Sequence, residues 1–448
     1  MSCNFFNYEE LSQLHIELTN ACNAACPMCT RFHVNSPLIR PDLTIDQITL
    51  EKFKKFFPPE VISKLEIILF CGVHGDPGMA KDLYEICEYI AESNPEIAVR
   101  MNTNGGMRNP AYWEKLGKLF ASQRQDHWRW QMTFSIDGLE DTNHLYRRNV
   151  KWDKLMANVK AFLANGAFAE WDYLIFKHNE HQIDEAKQLA HTLGFGEFYP
   201  KKALGVDDGN GLVRMSAMKR DGTFDYWIDA PVEPSNRNLE EPQVIEVIDR
   251  FWEFDPEDYK KMRAEKRTFN NYPNHIKRAY TLLAEEDNTE LDNAVIDCKA
   301  ETMSGGKEVF IDNYGRVMPC CYIGTHLNGT HTDSQSLQLH YEMDKYGWEP
   351  FNLNLYTLKE VMEGHHLDRV FTDSWEKESC EKGKMSYCAN ICGTNSRVDK
   401  IYTHEKMENK NRDWRNSEAY KELKADRTRE KAQQQRVELD KANRDNNE

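Results

Sequence analysis

The 448-residue sequence lacks any long hydrophobic run; its longest apolar stretch, around residues 65–70, is far too short to cross a bilayer. No charged, apolar and small-residue series opens the chain as a secretory signal would, so no membrane association and a cytoplasmic location are expected. Positive charge is also scarce. A formal net charge of -16 argues against a general nucleic-acid or anionic-membrane binder, because such partners require a basic footprint, although a local basic groove stays compatible with it. Apolar material is ample, at 40% hydrophobic and 11% aromatic, which excludes a disordered chain. Cysteine is plentiful too: twelve in a reducing compartment read as metal ligands or spectators rather than disulfides.

The length exceeds that of a single core and predicts a large domain plus a smaller one. Over residues 14–200, β-like runs at 14–19, 65–70, 97–103, 130–136, 172–177 and 195–199 alternate with helical patterns. One such pattern places Leu155, Val159, Phe162 and Leu163 on a single face and stops at Asn165-Gly166. Another spans 181–193, with Ile183, Ala186, Leu189, Ala190 and Leu193 on its apolar side. Repeated strand-helix units predict an α/β fold with a parallel sheet, helices outside, and chemistry at the C-terminal ends of the strands. The expected divisions are a core at 1–200, a connector or substrate-facing insertion at 201–297, a cysteine-bearing module at 298–400 and a charged helical or disordered tail at 401–448. Helical patches are expected at 244–252 and 275–283.

Cys22, Cys26 and Cys29 form a C-x3-C-x2-C run just after the first β-like stretch. Three thiolates from one short loop can hold three irons of a 4Fe-4S cluster and leave the fourth iron open for an outside ligand. The competing reading is a structural zinc loop. Zinc wants four protein ligands, and only His33 stands nearby to complete the set.

The motif and its placement resemble the radical S-adenosylmethionine (radical SAM) superfamily. Membership implies a partial (β/α)6 barrel, a catalytic 4Fe-4S cluster on Cys22, Cys26 and Cys29, and S-adenosylmethionine chelated to the open iron. An electron from the cluster then cleaves the cofactor to a 5'-deoxyadenosyl radical. Met28 stands where many members carry an aromatic residue, and methionine can still pack against adenine. Cys71-Gly72-Val73-His74-Gly75-Asp76-Pro77 looks like the family's Gly-Gly-Glu-Pro element, with Asp76 in place of Glu and one extra residue between the glycines. The resemblance assigns this turn's backbone, around Gly72, Gly75, Asp76 and Pro77, to the methionine amino group. Thr103-Asn104-Gly105 is similar to the family's Thr-Asn-Gly turn, making Asn104 a cofactor candidate. Ser135 and Asp137 are implied ribose contacts, Arg147 a bidentate clamp on the carboxylate, and Asn179 an adenosine or substrate contact. Read singly, these residues are ordinary turn formers and a solvated charge.

The second module carries Cys298, Cys320, Cys380, Cys388 and Cys392. Residues 311–320 predict a hairpin that turns at Asn313-Tyr314-Gly315 and delivers Cys320 from its return strand. The spacing resembles the smaller C-terminal SPASM/twitch-like domain that binds auxiliary 4Fe-4S clusters. Lys377 stands where that pattern has a cysteine, the gap from Cys380 to Cys388 is two residues longer, and no cysteine follows Cys392. One auxiliary 4Fe-4S cluster on four of the five cysteines is expected, with zinc as the alternative. Cys321 is a spare thiol, and Cys3, Cys71 and Cys87 read as spectators.

The combined resemblance implies hydrogen abstraction from a substrate. A peptide or protein side chain is favoured, with a small-molecule tailoring enzyme and a non-catalytic iron-sulfur or zinc scaffold as alternatives. An electron donor such as flavodoxin or ferredoxin is implied as a partner.

Overall fold

A computed structural model describes residues 5–32, 39–40, 43–123, 129–203, 212–219, 221, 223–236, 244–246, 287–298, 300, 306–327 and 334–394. Six parallel strands form the frame: β1 (Leu11–Ile16), β2 (Ile67–Phe70), β3 (Ala98–Thr103), β4 (Trp130–Ser135), β5 (Phe168–Ile175) and β6 (Glu197–Lys202). They neighbour one another in chain order, as the repeated strand-helix pattern predicts.

Alternation along the strands sets the two faces of the sheet. Ile68, Phe70, Val99, Met101, Met132, Phe134, Ala169 and Trp171 are wholly buried beneath the helices. The opposite positions, including Gln13, His15, Arg100, Asn102, Gln131, Ser135, Asp172 and Lys201, are mostly polar and largely retain some exposure. The sheet thus has an oily outer face and a polar inner one. The outer helices include α1 (Leu50–Phe56), α2 (Leu83–Ser93), α3 (Pro110–Ser122), α4 (Trp152–Leu163) and α5 (Ile183–Leu193). Trp113 and Phe120 of α3 meet Phe162 of α4 and Phe134 of β4 with ring centroids 5.5–6.2 Å apart. Each such buried ring stabilises the fold by about 1.5–3 kcal/mol. The approach of α3 to α4 needs Gly117, where a Cβ would lie 2.2 Å from the Phe162 carbonyl oxygen.

Two further strands join this sheet from beyond residue 300. The expected hairpin is present as β10 (Lys307–Ile311) and β11 (Val317–Met318), turning through Gly315 at φ +82. β10 lies parallel to β1, with Leu14 opposite Val309 and Ile16 opposite Ile311, so the sheet order is β11-β10-β1-β2-β3-β4-β5-β6. Nothing in the local pattern of 307–318 announces that long-range pairing.

Strand limits move from the expected ones. β1 begins at Leu11 and β5 at Phe168, because inward polar residues such as Gln13 and Glu170 belong to the strands although they interrupt the apolar runs. In the connector, β7 (Leu212–Met218) pairs antiparallel with β8 (Phe224–Ile228) and parallel with β9 (Val244–Glu246). The helix expected from residue 244 is therefore corrected at its start. β-Branched Val244 and Ile245 favour an extended partner strand once β7 offers an edge. The patch at 275–283, Cys3, His33 and the tail from 401 lie outside the described residues. Among the described residues, no helix is long and apolar enough to cross a membrane.

Candidate active site

The cysteine loop leaves the C-terminal end of β1 held by segments distant in the chain. Asn20 is fully buried; its amide donates to Thr44 O at 2.8 Å and to the Tyr314 hydroxyl at 3.0 Å, while its carbonyl accepts from Asp46 N at 2.9 Å. Farther along, Ala25 N donates to Arg148 O at 2.9 Å and Cys29 N to Cys26 O at 3.0 Å. Donors surround the sulfurs. Ala24 N and Asn104 Nδ2 lie 3.4 and 3.5 Å from Cys22 Sγ, and Arg147 Nη1 lies 3.8 Å from Cys26 Sγ. Burial pushes all three thiols up, Cys26 to about 11, with Arg147 opposing at Cys26 and the Arg31 backbone and guanidinium opposing at Cys29. A bound metal overrides such shifts, because a coordinating thiol is deprotonated outright.

Among the described residues, no three Cys, His, Asp or Glu side chains are already gathered about a point that could hold a metal ion. The fit to an iron-sulfur cluster rests on donor chemistry instead. Three thiols from one loop affect one another electrostatically, N–H groups and guanidinium cations face them, and Asn23 Nδ2 within the loop is buried without a partner. That set suits a sulfur-rich, net-negative group.

The loops after β2 and β3 are locked together by Asp76. Its Oδ1 accepts from Gly78 N at 2.9 Å and the Thr103 hydroxyl at 2.8 Å; its Oδ2 accepts from Asn104 N and Nδ2, both at 2.7 Å. Asp76 therefore organises the two turns, and its own oxygens are fully used. Burial raises its pKa while the Asn104 and Thr103 bonds pull the other way. Gly75 is needed for contact: a Cβ there would sit 1.7 Å from Thr19 O. Gly72 is equally constrained, with Gly75 O at 2.2 Å from its would-be Cβ. Pro77 follows Asp76 as the first residue of a short 3-10 turn.

After β4 and β5 the expected residues come together in an arrangement the sequence does not suggest. Arg147 Nε donates to Asp137 Oδ2 at 2.5 Å, so the residue expected at the carboxylate and the one expected at the ribose form an ion pair. Asp137 is fully buried and its Oδ1 accepts from Leu174 N at 2.7 Å; a carboxylate so enclosed needs these partners. Asn179 is equally enclosed. It donates to Asp137 O and Leu174 O, accepts from Phe176 N, and so acts as a lock on the loop after β5. Ser135 keeps partial exposure at the end of β4, and Met28 is half-buried against the core.

A second group of cysteines comes from residues 298–392, beyond the connector. Cys298 and Cys392 are brought together by the backbone, where Asp297 N donates to Cys392 O at 2.8 Å and Ile296 pairs with Gly393. Their side chains interact directly, Cys320 acts on both electrostatically, and Cys388 feels Cys320 and Cys392. Cys388 and Cys392 lie one turn apart on α8 (Ser386–Cys392), while Cys320 immediately precedes α6 (Cys321–Leu327); α7 (Ser334–Tyr346) lies between these helices in the chain. Cys380 stands apart: it is fully buried, its N donates to Asp292 Oδ1 at 2.6 Å, and its thiol is raised by burial and by Asp292. The structure thus separates four of the five candidates from the fifth. Cys87 is a core residue on α2, and Cys71 immediately follows β2 beside His15, whose Nε2 is 2.8 Å from Cys71 O.

With this geometry in view, residues 16–190 match the family model of the Radical SAM superfamily. They form a radical SAM domain. The superfamily implies a 4Fe-4S cluster and S-adenosylmethionine. No curated protein matches the sequence. Among solved structures, native anSMEcpe with bound AdoMet is similar at a TM-score of 0.45 and 14% identity, covering 85% of this chain and 89% of that one. SuiB of Streptococcus suis bound to precursor peptide SuiA gives a TM-score of 0.42 and 12% identity, covering 84% and 76%. A further SuiB structure gives 0.37 and 13%, covering 70% of this chain; the chain spans only 61% of that one.

Two residues beside the candidate site, Glu17 and Arg148, were not singled out by the sequence motifs. Glu17, one residue beyond β1, is fully buried, and its Oε1 accepts from His74 N at 2.6 Å and Gly75 N at 2.9 Å. Burial pushes its pKa up to about 7, the His74 and Gly75 bonds oppose, and Asp312 adds to the rise. Its one sequence signal is the inward alternation Gln13, His15, Glu17 continuing past the strand. Arg148 donates to the Tyr226 hydroxyl at 2.8 Å and to Asp225 Oδ2 at 2.9 Å, fixing β8 against the segment that holds Ala25.

Proposed function

We propose that this protein abstracts hydrogen from a peptide or protein side chain, using S-adenosylmethionine and a catalytic 4Fe-4S cluster on Cys22, Cys26 and Cys29. When bound, the cluster supplies an electron that cleaves S-adenosylmethionine to methionine and a 5'-deoxyadenosyl radical. The observation that carries the reading is the meeting of Cys22, on the three-cysteine loop, with the Asp76-ordered Asn104 turn at one end of a parallel sheet, while Arg147 faces Cys26 of the same loop. Cys22, Cys26 and Cys29 hold the metal; the turn at 72–77 offers backbone groups to the amino end of the cofactor; Ser135 keeps a hydroxyl open at the end of β4. Arg147 supplies positive charge beside Cys26 while Asp137 fixes its orientation.

Cys298, Cys320, Cys388 and Cys392 hold one auxiliary 4Fe-4S cluster in a SPASM/twitch-like module. The SPASM-like cysteine spacing supports the peptide or protein substrate class, and a flavodoxin or ferredoxin supplies the electron. Anaerobically reconstituted protein with dithionite should convert S-adenosylmethionine to 5'-deoxyadenosine, and Cys26→Ala should not. Equal turnover by the variant would sink the assignment.

A further inference from the structure

We propose that Glu17 is a positioning residue whose carboxylate shapes the backbone of the 72–77 turn to receive the amino group of S-adenosylmethionine. This inference rests on the reading of that turn as part of the cofactor site. Three successive residues of the turn are clamped from the β1 side. His74 N and Gly75 N donate to Glu17 Oε1 at 2.6 and 2.9 Å, Gly75 packs on Thr19 O, and Asp76 N donates to Ala21 O at 2.9 Å. Of these clamps, only Glu17 is a side chain. It draws two N–H groups to one point and so dictates which way the turn's carbonyls face, because each peptide plane is rigid.

The carboxyl is a poor choice for stability alone. It is wholly buried, its Oε2 has no hydrogen-bond partner, and no basic side chain pairs with it among the described residues. Burying an acid in this state is costly. A site that violates packing economy is where function is expected, and here the cost secures the geometry of one turn.

The test compares Glu17→Gln, Glu17→Asp and Glu17→Ala in the reconstituted holoprotein. Its readouts are iron content, calorimetric affinity for S-adenosylmethionine, and the change that the cofactor induces in the electron paramagnetic resonance spectrum of the reduced cluster. Glutamine keeps the accepting carbonyl and should stay within about threefold of wild type. Alanine, which removes the acceptor, and aspartate, which withdraws it by one methylene, should each weaken affinity about tenfold to a hundredfold with iron content unchanged. Wild-type affinity in both Asp and Ala variants would overturn the proposal. So would loss of iron or of fold in both, because Glu17 would then serve the core rather than the turn. Failure of the wild-type protein itself to bind S-adenosylmethionine would instead refute the underlying assignment of the site.

Discussion

His15 and Glu308 face each other across the β1–β10 seam, with His15 Nδ1 3.9 Å from Glu308 Oε1, and burial shifts them in opposite directions. Burial lowers His15 from 6.5 to about 4, against the Cys71 carbonyl, and raises Glu308 from 4.5 to about 7. Below pH 6.5 the unfolded chain takes up a proton that folded His15 refuses until about pH 4, so stability falls as pH drops through that window. Above pH 4.5 the unfolded chain releases a proton that folded Glu308 keeps until about pH 7, so stability falls as pH rises through that one. Glu308→Gln removes the second loss. Its thermal unfolding midpoint should exceed the wild type's at pH 8, by the equivalent of about 3 kcal/mol, with the gap shrinking toward pH 5. A pH-independent gap would show that Glu308 is not the titrating group. At this scale the sequence located Arg147, Asp137 and Asn179 at strand ends; their partners were invisible, because an ion pair ten residues apart depends on how one loop closes.

Among elements, the β7–β8 hairpin shows how the connector reaches the site. Arg148 binds Asp225 and Tyr226 through its side chain and Ala25 N through its carbonyl, and the Tyr226 hydroxyl donates to Leu145 O at 2.6 Å. The hairpin is thus one residue away from the backbone of the cysteine loop. Asp225→Ala combined with Tyr226→Phe should cost about 1–2 kcal/mol locally, since the groups are only partly buried. Hydrogen exchange in 223–228 and 145–148 should quicken about tenfold at unchanged iron content; exchange at the wild-type rate would make these contacts idle. Helix α5 was legible because its apolar stripe ends at Gly194, which adopts φ +89. β9 was not, since three residues carry no period and take their form from β7.

For the whole molecule, the separation of Cys380 from the other four cysteines makes a counting prediction. Reconstituted protein should hold about eight irons per chain, two clusters of four. Cys380→Ser should keep them, whereas Cys392→Ser and the Cys22/Cys26/Cys29 triple alanine variant should each fall to about four, by iron and sulfide analysis. Four irons with one equivalent of zinc in the wild type would favour the zinc alternative for the second module.

What the sequence determined by itself is what local order can encode: strands and helices of the repeated units, the C-x3-C-x2-C loop, the Asn-Tyr-Gly hairpin, and turn residues after successive strands. Periodicity and turn chemistry act over a few residues, so a single chain displays them. Tertiary structure decided the rest. It placed β10 beside β1 across almost 300 residues, joined Glu17 to His74 and Gly75, paired Arg147 with Asp137, and set Cys298 against Cys392 while leaving Cys380 apart. These contacts link residues whose neighbours in sequence give no hint of each other, and burial makes each depend on what the rest of the fold packs around it.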